Sequence, residues 1–157
     1  MLSVLEIPKA FTPPGGYGDQ MPPPILANCS DALDTSVVDL RGLWRAIDVR
    51  VNGETAPPAL KVWQHVERIE QAGNRVVITA GGVVHDMYAD GTFENGVNDV
   101  AAADFKSPIS VAATFENDVL VLRPRGFDGV EIKRWFDGEN LMWEYSTFFT
   151  VRLERVR

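Results

Sequence analysis

A chain of 157 residues, 45% hydrophobic and 24% charged, has the length and balance of one globular domain able to bury roughly 70% of its unfolded surface, which excludes wholesale disorder and fibrous structure. Fifteen Lys and Arg against 22 Asp and Glu leave a net charge of −7, which repels phosphate backbones and anionic bilayers and argues against nucleic-acid and membrane partners. Cys29 is the single cysteine, so neither an intramolecular disulfide nor a multi-cysteine metal site is available.

The first ten residues, "MLSVLEIPKA", carry no basic stretch, place Glu6 among the apolar residues and are interrupted by Pro8, so no signal-peptide core develops. No run approaches the ~20 apolar residues of a membrane helix. With the lone cysteine, this leads to the expectation of a cytoplasmic protein. Six of the ten prolines fall within the first 24 residues, which rules out a helix interior or a central strand there. Residues 1–27 therefore read as a Pro-rich N-terminal arm preceding a domain at 28–157. It reads as a mobile tail or an extended segment laid over the domain, while its apolar residues, Phe11, Tyr17, Met21, Ile25 and Leu26, leave open a cover over a pocket mouth or a contact in a homodimer.

"NCSDALDTSVVDLRG" (28–42) offers Ser30 or Asp31 as an N-cap and predicts a short helical turn ending at Gly42. From Leu43 onward the pattern changes to short runs rich in Val, Ile, Trp, Phe and Tyr, separated by "NGE", "AGN", "AGG", "ADG", "END", "FDG" and "DGEN". Strands are expected near 43–52, 60–70, 74–80, 83–89, 97–105, 109–115, 119–124, 129–136 and 141–155. The fold class predicted is all-β: an antiparallel up-and-down meander of about eight or nine strands, closed into a barrel because closure removes exposed edges, with a β-sandwich as the other solution. A barrel of this size holds side chains or one small ligand.

The last hairpin fixes its own register. If "DGEN" is the loop, Phe136 faces Leu141, Trp135 faces Met142, Arg134 faces Trp143, Lys133 faces Glu144 and Ile132 faces Tyr145. Alternation then turns Ile132, Arg134, Phe136, Leu141, Trp143, Tyr145, Phe149 and Arg155 inward. An arginine inside a barrel requires a partner, either an internal carboxylate, the face of Trp143, or the carboxylate of a ligand.

Histidine placement follows from the same alternation. In "GGVVHDMYADG" (81–91), His85 and Asp86 point to opposite faces and cannot form a proton relay by adjacency; the more apolar set, Val83, His85 and Met87, is turned inward. In "KVWQHVERIE" (61–70), Trp63, His65, Glu67 and Ile69 share one face, but neither face is clearly the inner one. His65 and His85 lie two strand spacings apart, about 10 Å at ~4.8 Å per strand, too far to share one metal. No HExxH, EF-hand, phosphate-loop or GxSxG pattern occurs, so no metal and no cofactor is expected.

"DLRGLW" (39–44) resembles the glycine-x-tryptophan signature opening the first strand of lipocalins, and "FTVRLERVR" (149–157) resembles the last strand of lipocalins and fatty-acid-binding proteins. Gly42 and Trp44 carry the first match and Arg152 or Arg155 the second. The resemblance to this calycin superfamily implies that Trp44 closes one end of the barrel with a terminal-strand arginine packed across it; parity favours Arg155. It also implies a small-ligand pocket. The final strand lacks the arginine-x-tyrosine pair of fatty-acid-binding proteins, so their carboxylate clamp is not carried over. "GETAPPA" (53–59) is too short for their helical lid.

These observations predict a lipocalin-like binder of a small, mostly apolar molecule, with or without a carboxylate or carbonyl, lined by Trp63, His65, His85, Met87, Arg134, Trp143 and Tyr145. Two alternatives remain open. A cofactor-free isomerase, cyclase or hydratase would use His85 and Tyr145 as catalytic groups. A protein-interaction module would use the proline-rich arm.

Overall fold

The computed structural model describes residues 1–157. It contains eleven strands: β1 (Gly42–Val51), β2 (Glu54–Thr55), β3 (Val66–Ala72), β4 (Arg75–Ala80), β5 (Val83–Tyr88), β6 (Val97–Val100), β7 (Pro108–Glu116), β8 (Val119–Pro124), β9 (Ile132–Asp137), β10 (Asn140–Tyr145) and β11 (Phe149–Arg155). All pairings are antiparallel, in the order β5-β4-β3-β1-β11-β10-β9-β8-β7-β6, with β2 paired to the end of β1. Only β5 and β6 lack a ladder, so the sheet curls into a barrel closed everywhere except at one seam. No helix is long and apolar enough to cross a membrane.

Several boundaries differ from the sequence-based expectation, each for a local reason. Eleven strands replace the expected eight or nine. The run 141–155 is two strands, because Ser146 adopts φ +50° and turns the chain at "STF". That turn contains no glycine or proline to signal it. It also spans three residues, so odd positions face inward on both sides of it. The run 60–70 begins as a 3-10 turn, Lys61–Gln64, and becomes extended only at Val66; the run 97–105 stops at Val100. The helical turn expected within 28–42 is absent, and this stretch follows turns and an isolated bridge from Leu33 to Gly73. Apart from the single turn bond of Val37 N to Asp34 O, its backbone groups turn to β3 and the turn after it: Asp34 and Ala32 bond Gly73, and Gln71 accepts from Leu40 N at 2.6 Å and donates to Val38 O at 2.9 Å.

The register of β9 and β10 is the one read from the sequence, from Phe136 opposite Leu141 to Ile132 opposite Tyr145. Inward side chains form a core of 17 buried residues, including Trp44, Ile69, Val76, Met87, Leu120, Leu141 and Leu153. β4 is buried on both faces, which explains its unbroken apolar run "VVIT". Val76 and Ile78 face the barrel, while Val77 joins Leu26, Ala72 and Val84 in a second cluster outside it, covered by Val4, Ile7, Tyr17 and Ile25.

The N-terminal segment is tied down by carboxylates and by one arginine. Arg75 and Asp86, both outside the barrel and almost fully buried, pair at 2.7 Å. The guanidinium also donates to the carbonyls of Val4, Ile7 and Pro8. Asp86 accepts from Ala10 N, Asp99 from Thr12 N, and Glu70 from Ile25 N and Leu26 N. The seam where β5 and β6 part is therefore crossed by residues 9–12, which bond to both sides: Lys9 to Gly96 O, Ala10 and Thr12 to β5, and Thr12 to β6. A strap bonded through side chains bridges the two strands where the ladder is missing.

Candidate functional site

The two ends of the barrel are built differently. At the end where β1 begins, Leu40, Trp44, Met87, Leu120, Leu141 and Leu153 are completely buried and leave no opening. Trp44 forms the floor. Its Nε1 donates to Leu40 O at 3.0 Å, its ring meets Phe136 at 5.8 Å, and the Arg155 guanidinium lies 4.3 Å over its face. Arg155 is held there by donating to Arg41 O at 2.8 Å. Gly42 makes the approach feasible, because a Cβ at this position would stand 2.3 Å from Arg155 Nη1.

At the opposite end the inward residues Val51, Ile109, Ile132, Tyr145 and Phe149 are only partly buried. Here β1 pairs with β2 instead of β3, and the space between β1 and β3 is occupied by residues 56–65, anchored by Ala46 N donating to His65 O. Trp63 belongs to this segment and donates its Nε1–H to Pro57 O at 3.1 Å. Aromatic rings line the opening: Trp143 to Phe149 at 5.1 Å, Tyr145 to Phe149 at 5.4 Å and Tyr145 to Phe148 at 5.8 Å. A cleft of about 360 Å³ beside Arg50, Asn52, Thr147 and Phe149 opens at this rim.

A polar group spans the middle. Arg134 on β9 donates from Nε to Glu67 Oε2 at 2.9 Å and from Nη2 to Glu67 Oε1 at 3.1 Å. Glu67 on β3 faces inward and is completely buried. His65 Nε2 lies 2.7 Å from Glu67 Oε1, and its ring sits 4.3 Å from Trp143. The Arg134 guanidinium is also 5.1 Å from the Trp143 ring. Burial by itself pushes the Glu67 carboxyl up, but the charge of Arg134 and hydrogen bonds from His65 and Arg134 outweigh it and hold the group at about 2. The pair is thus ionic and internally neutralised. Trp143 Nε1–H, in contrast, is buried and has no hydrogen-bond partner.

His85 faces inward on β5, opposite Ile78. Its Nε2 lies 3.1 Å from Val100 O on β6, and since a carbonyl only accepts, that nitrogen carries the proton. The bond bridges the seam. Burial lowers the His85 pKa, with the Val100 bond and Asp99 opposing the shift and Arg134 reinforcing it.

Of the residues singled out from sequence, His65, Arg134, Trp143 and Tyr145 come together around the aromatic opening. Trp63 borders it, His85 stands at the seam, and Met87 lies fully buried among the floor residues. Gly42, Trp44 and Arg155 form one contact at the floor. Two members of the site escaped the sequence reading: Glu67, the partner of Arg134, and Phe149, which was turned inward but not assigned a role. Glu67 had a visible signal, because it shares a face with His65 two residues away. Its remoteness from Arg134 in sequence concealed the rest. No group of three or more His, Cys, Asp or Glu side chains is gathered in a metal-binding arrangement.

An antiparallel meander with one open seam, a tryptophan floor and an aromatic mouth is an up-and-down β-barrel fold. Among solved structures, human cRBP IV, a cellular retinol-binding protein, shares this fold with a TM-score of 0.56 and 15% sequence identity, over 76% of this chain and 99% of that chain. In all, 51 chains of solved structures match. No family model matches the sequence, and no curated protein matches it.

Proposed function

We propose that the chain binds a small, mostly apolar molecule, entering at the aromatic end of the barrel. The observation that carries this reading is the contrast between the ends: a floor of fully buried side chains, against a mouth where Val51, Ile132, Tyr145 and Phe149 remain partly exposed. Aromatic and aliphatic surface left accessible at one concave end is what an apolar ligand covers. The barrel likeness to a retinol-binding protein supports the same class.

Arg134 is not a free anion handle, since Glu67 occupies two of its donors and cancels its charge. An oxygen on the ligand meets Trp143 Nε1–H instead, and an unpartnered buried donor gains most from a neutral acceptor such as a carbonyl or hydroxyl. This reading favours a carbonyl over a carboxylate. The test is native mass spectrometry of freshly purified protein against the denatured chain, followed by titration with a long-chain methyl ketone and the matching hydrocarbon while Trp143 fluorescence is recorded. Saturable quenching with a ketone preference that Trp143→Phe removes supports the reading. Absence of both a retained mass and any saturable titration overturns it.

A second reading, cofactor-free acid–base catalysis, is favoured by one observation. The imidazole of His65 is oriented by a buried carboxylate, the arrangement that steadies a general base. Turnover of a ketone substrate that His65→Gln abolishes, with ketone affinity retained, would select it over simple binding.

A further inference from the structure

A cleft of about 630 Å³ lies outside the aromatic opening, where residues 11 and 12 run beside the ends of β6, β7 and β8. Its walls are mainly apolar: Phe11, Val100, Pro108, Ile109, Pro124 and Phe127. Phe11 is 56% and Phe127 64% exposed, so two phenylalanines flank this concavity with most of their surface in water. Isolated exposed apolar side chains are ordinary, but two facing one cleft of ligand size are not.

The polar groups at the cleft differ in what they have left to offer. Asp99 is engaged by backbone amides, its oxygens accepting from Thr12 N at 2.9 Å and Val100 N at 2.6 Å, and it forms no ion pair with Arg125. Asn98 accepts from Ser110 Oγ and donates to Phe93 O. Arg125 is the exception. Its guanidinium lies 4.4 Å over the Phe93 ring, which fixes its place at the rim, yet it pairs with no carboxylate and donates to no oxygen. Arg123, two residues earlier, is paired with both Glu116 and Glu131. A positioned guanidinium with all its donors unused, beside an apolar trough, is complementary to a carboxylate joined to a hydrocarbon tail.

We infer that this cleft is a second binding site, separate from the aromatic opening although Ile109 borders both, for a small amphiphilic carboxylate: Arg125 takes the carboxylate and Phe11 and Phe127 enclose the chain. One wall of the site is the strap that staples β5 to β6, so the ligand rests against the device that closes the barrel seam. The interior site and this one differ in charge preference. Inside, Glu67 is bonded directly to Arg134; at the cleft, Arg125 is bonded to no carboxylate, Asp99 being turned to the amides of Thr12 and Val100.

The test uses the full chain, isotope-labelled, titrated with decanoate below its micelle concentration and separately with decanol, following backbone amides and the tryptophan indole N–H signals. Decanoate is expected to shift Thr12, Val100, Ser110 and Arg125 saturably while the Trp143 indole signal stays in place, and to bind more tightly than decanol. Arg125→Gln should weaken decanoate by about tenfold with little change for decanol, and Phe127→Ala should weaken both. Both positions are exposed, so these variants fold. Equal affinity for acid and alcohol, or an Arg125→Gln variant that binds decanoate like the parent, overturns the proposal. Shifts confined to the Trp143 indole and its neighbours overturn it too, while supporting ligand entry into the barrel.

Discussion

Arg134 and Glu67 join opposite walls of the barrel, 2.9 Å apart, although β10, β11 and β1 separate their strands in the sheet. Both side chains are almost fully withdrawn from water. A buried pair of this kind contributes little net stability compared with apolar residues of the same size, but removing one member leaves a charge without solvent or partner. Glu67→Leu or Arg134→Met alone should therefore cost about 3–5 kcal/mol, whereas the two substitutions combined should recover most of that loss. Urea unfolding of the four proteins measures the coupling. Additive losses in the double variant would show that the two residues do not act as a unit.

Acid should destabilise the protein in two stages. His85 has a folded pKa below its ordinary 6.5, so as pH falls through 6.5 the unfolded chain takes up a proton that the native state resists. Stability from this group is complete above that pH and is lost below it. Glu67 is held at about 2 against an ordinary 4.5, so its contribution is present above 4.5 and drains away between 4.5 and 2. His85→Gln keeps a donor for Val100 O and removes the first stage. Unfolding free energies measured from pH 8 to 3 should give wild-type and variant curves that run parallel above pH 7 and diverge below 6.5. Curves parallel throughout would mean that His85 titrates alike in both states.

How much of this was legible beforehand depends on the distance over which each feature is specified. The hairpin of β9 and β10 is local, and its register could be read because every cross-strand pair is chemically sensible. The inward turn of His85 was likewise legible from its neighbours Val83 and Met87. β3 was not, since it carries polar residues on both faces: Glu67 inward for Arg134, Gln71 inward for Leu40 and Val38, and Glu70 outward for Ile25 and Leu26. All of those partners lie at least 31 residues away. The same applies to the residues 28–41, whose short helical pattern loses to hydrogen bonds that only the assembled β3 can supply. A proline-rich segment whose carbonyls are gathered by one buried arginine also leaves no local trace.

That arginine yields a direct test. Arg75 collects the carbonyls of Val4, Ile7 and Pro8, and Asp86 holds both Arg75 and the amide of Ala10. Asp86→Asn keeps the shape but removes the charge, so the Ala10 amide loses a hydrogen bond to a carboxylate worth about 1.5–3 kcal/mol. Hydrogen exchange at Ala10 should accelerate by roughly tenfold to a hundredfold, while amides of β10 and β11 remain protected. The segment ahead of Thr12 should also become the first site of cleavage in limited proteolysis. Exchange that rises equally throughout the chain would point instead to global destabilisation.

Gly42 permits the closed floor through both its backbone and its missing side chain. Its φ of +149° is one that residues with a Cβ seldom adopt, and a Cβ would lie 2.3 Å from Arg155 Nη1 and 3.3 Å from Trp44 Nε1. Gly42→Ala must therefore distort the strand start or push Arg155 off the Trp44 ring, breaking the bond to Arg41 O. The backbone part should cost about 1–3 kcal/mol. For a chain of this length that corresponds to a fall of roughly 3–10 °C in Tm. The steric part has a separable signature, because Arg155→Ala removes the atom that the new methyl would strike. Gly42→Ala should then cost less in the Arg155→Ala background than in the parent, with the remainder measuring backbone strain at the first residue of β1. Were the cost identical in both backgrounds, the contact between Gly42 and the arginine would have no energetic role in closing the barrel.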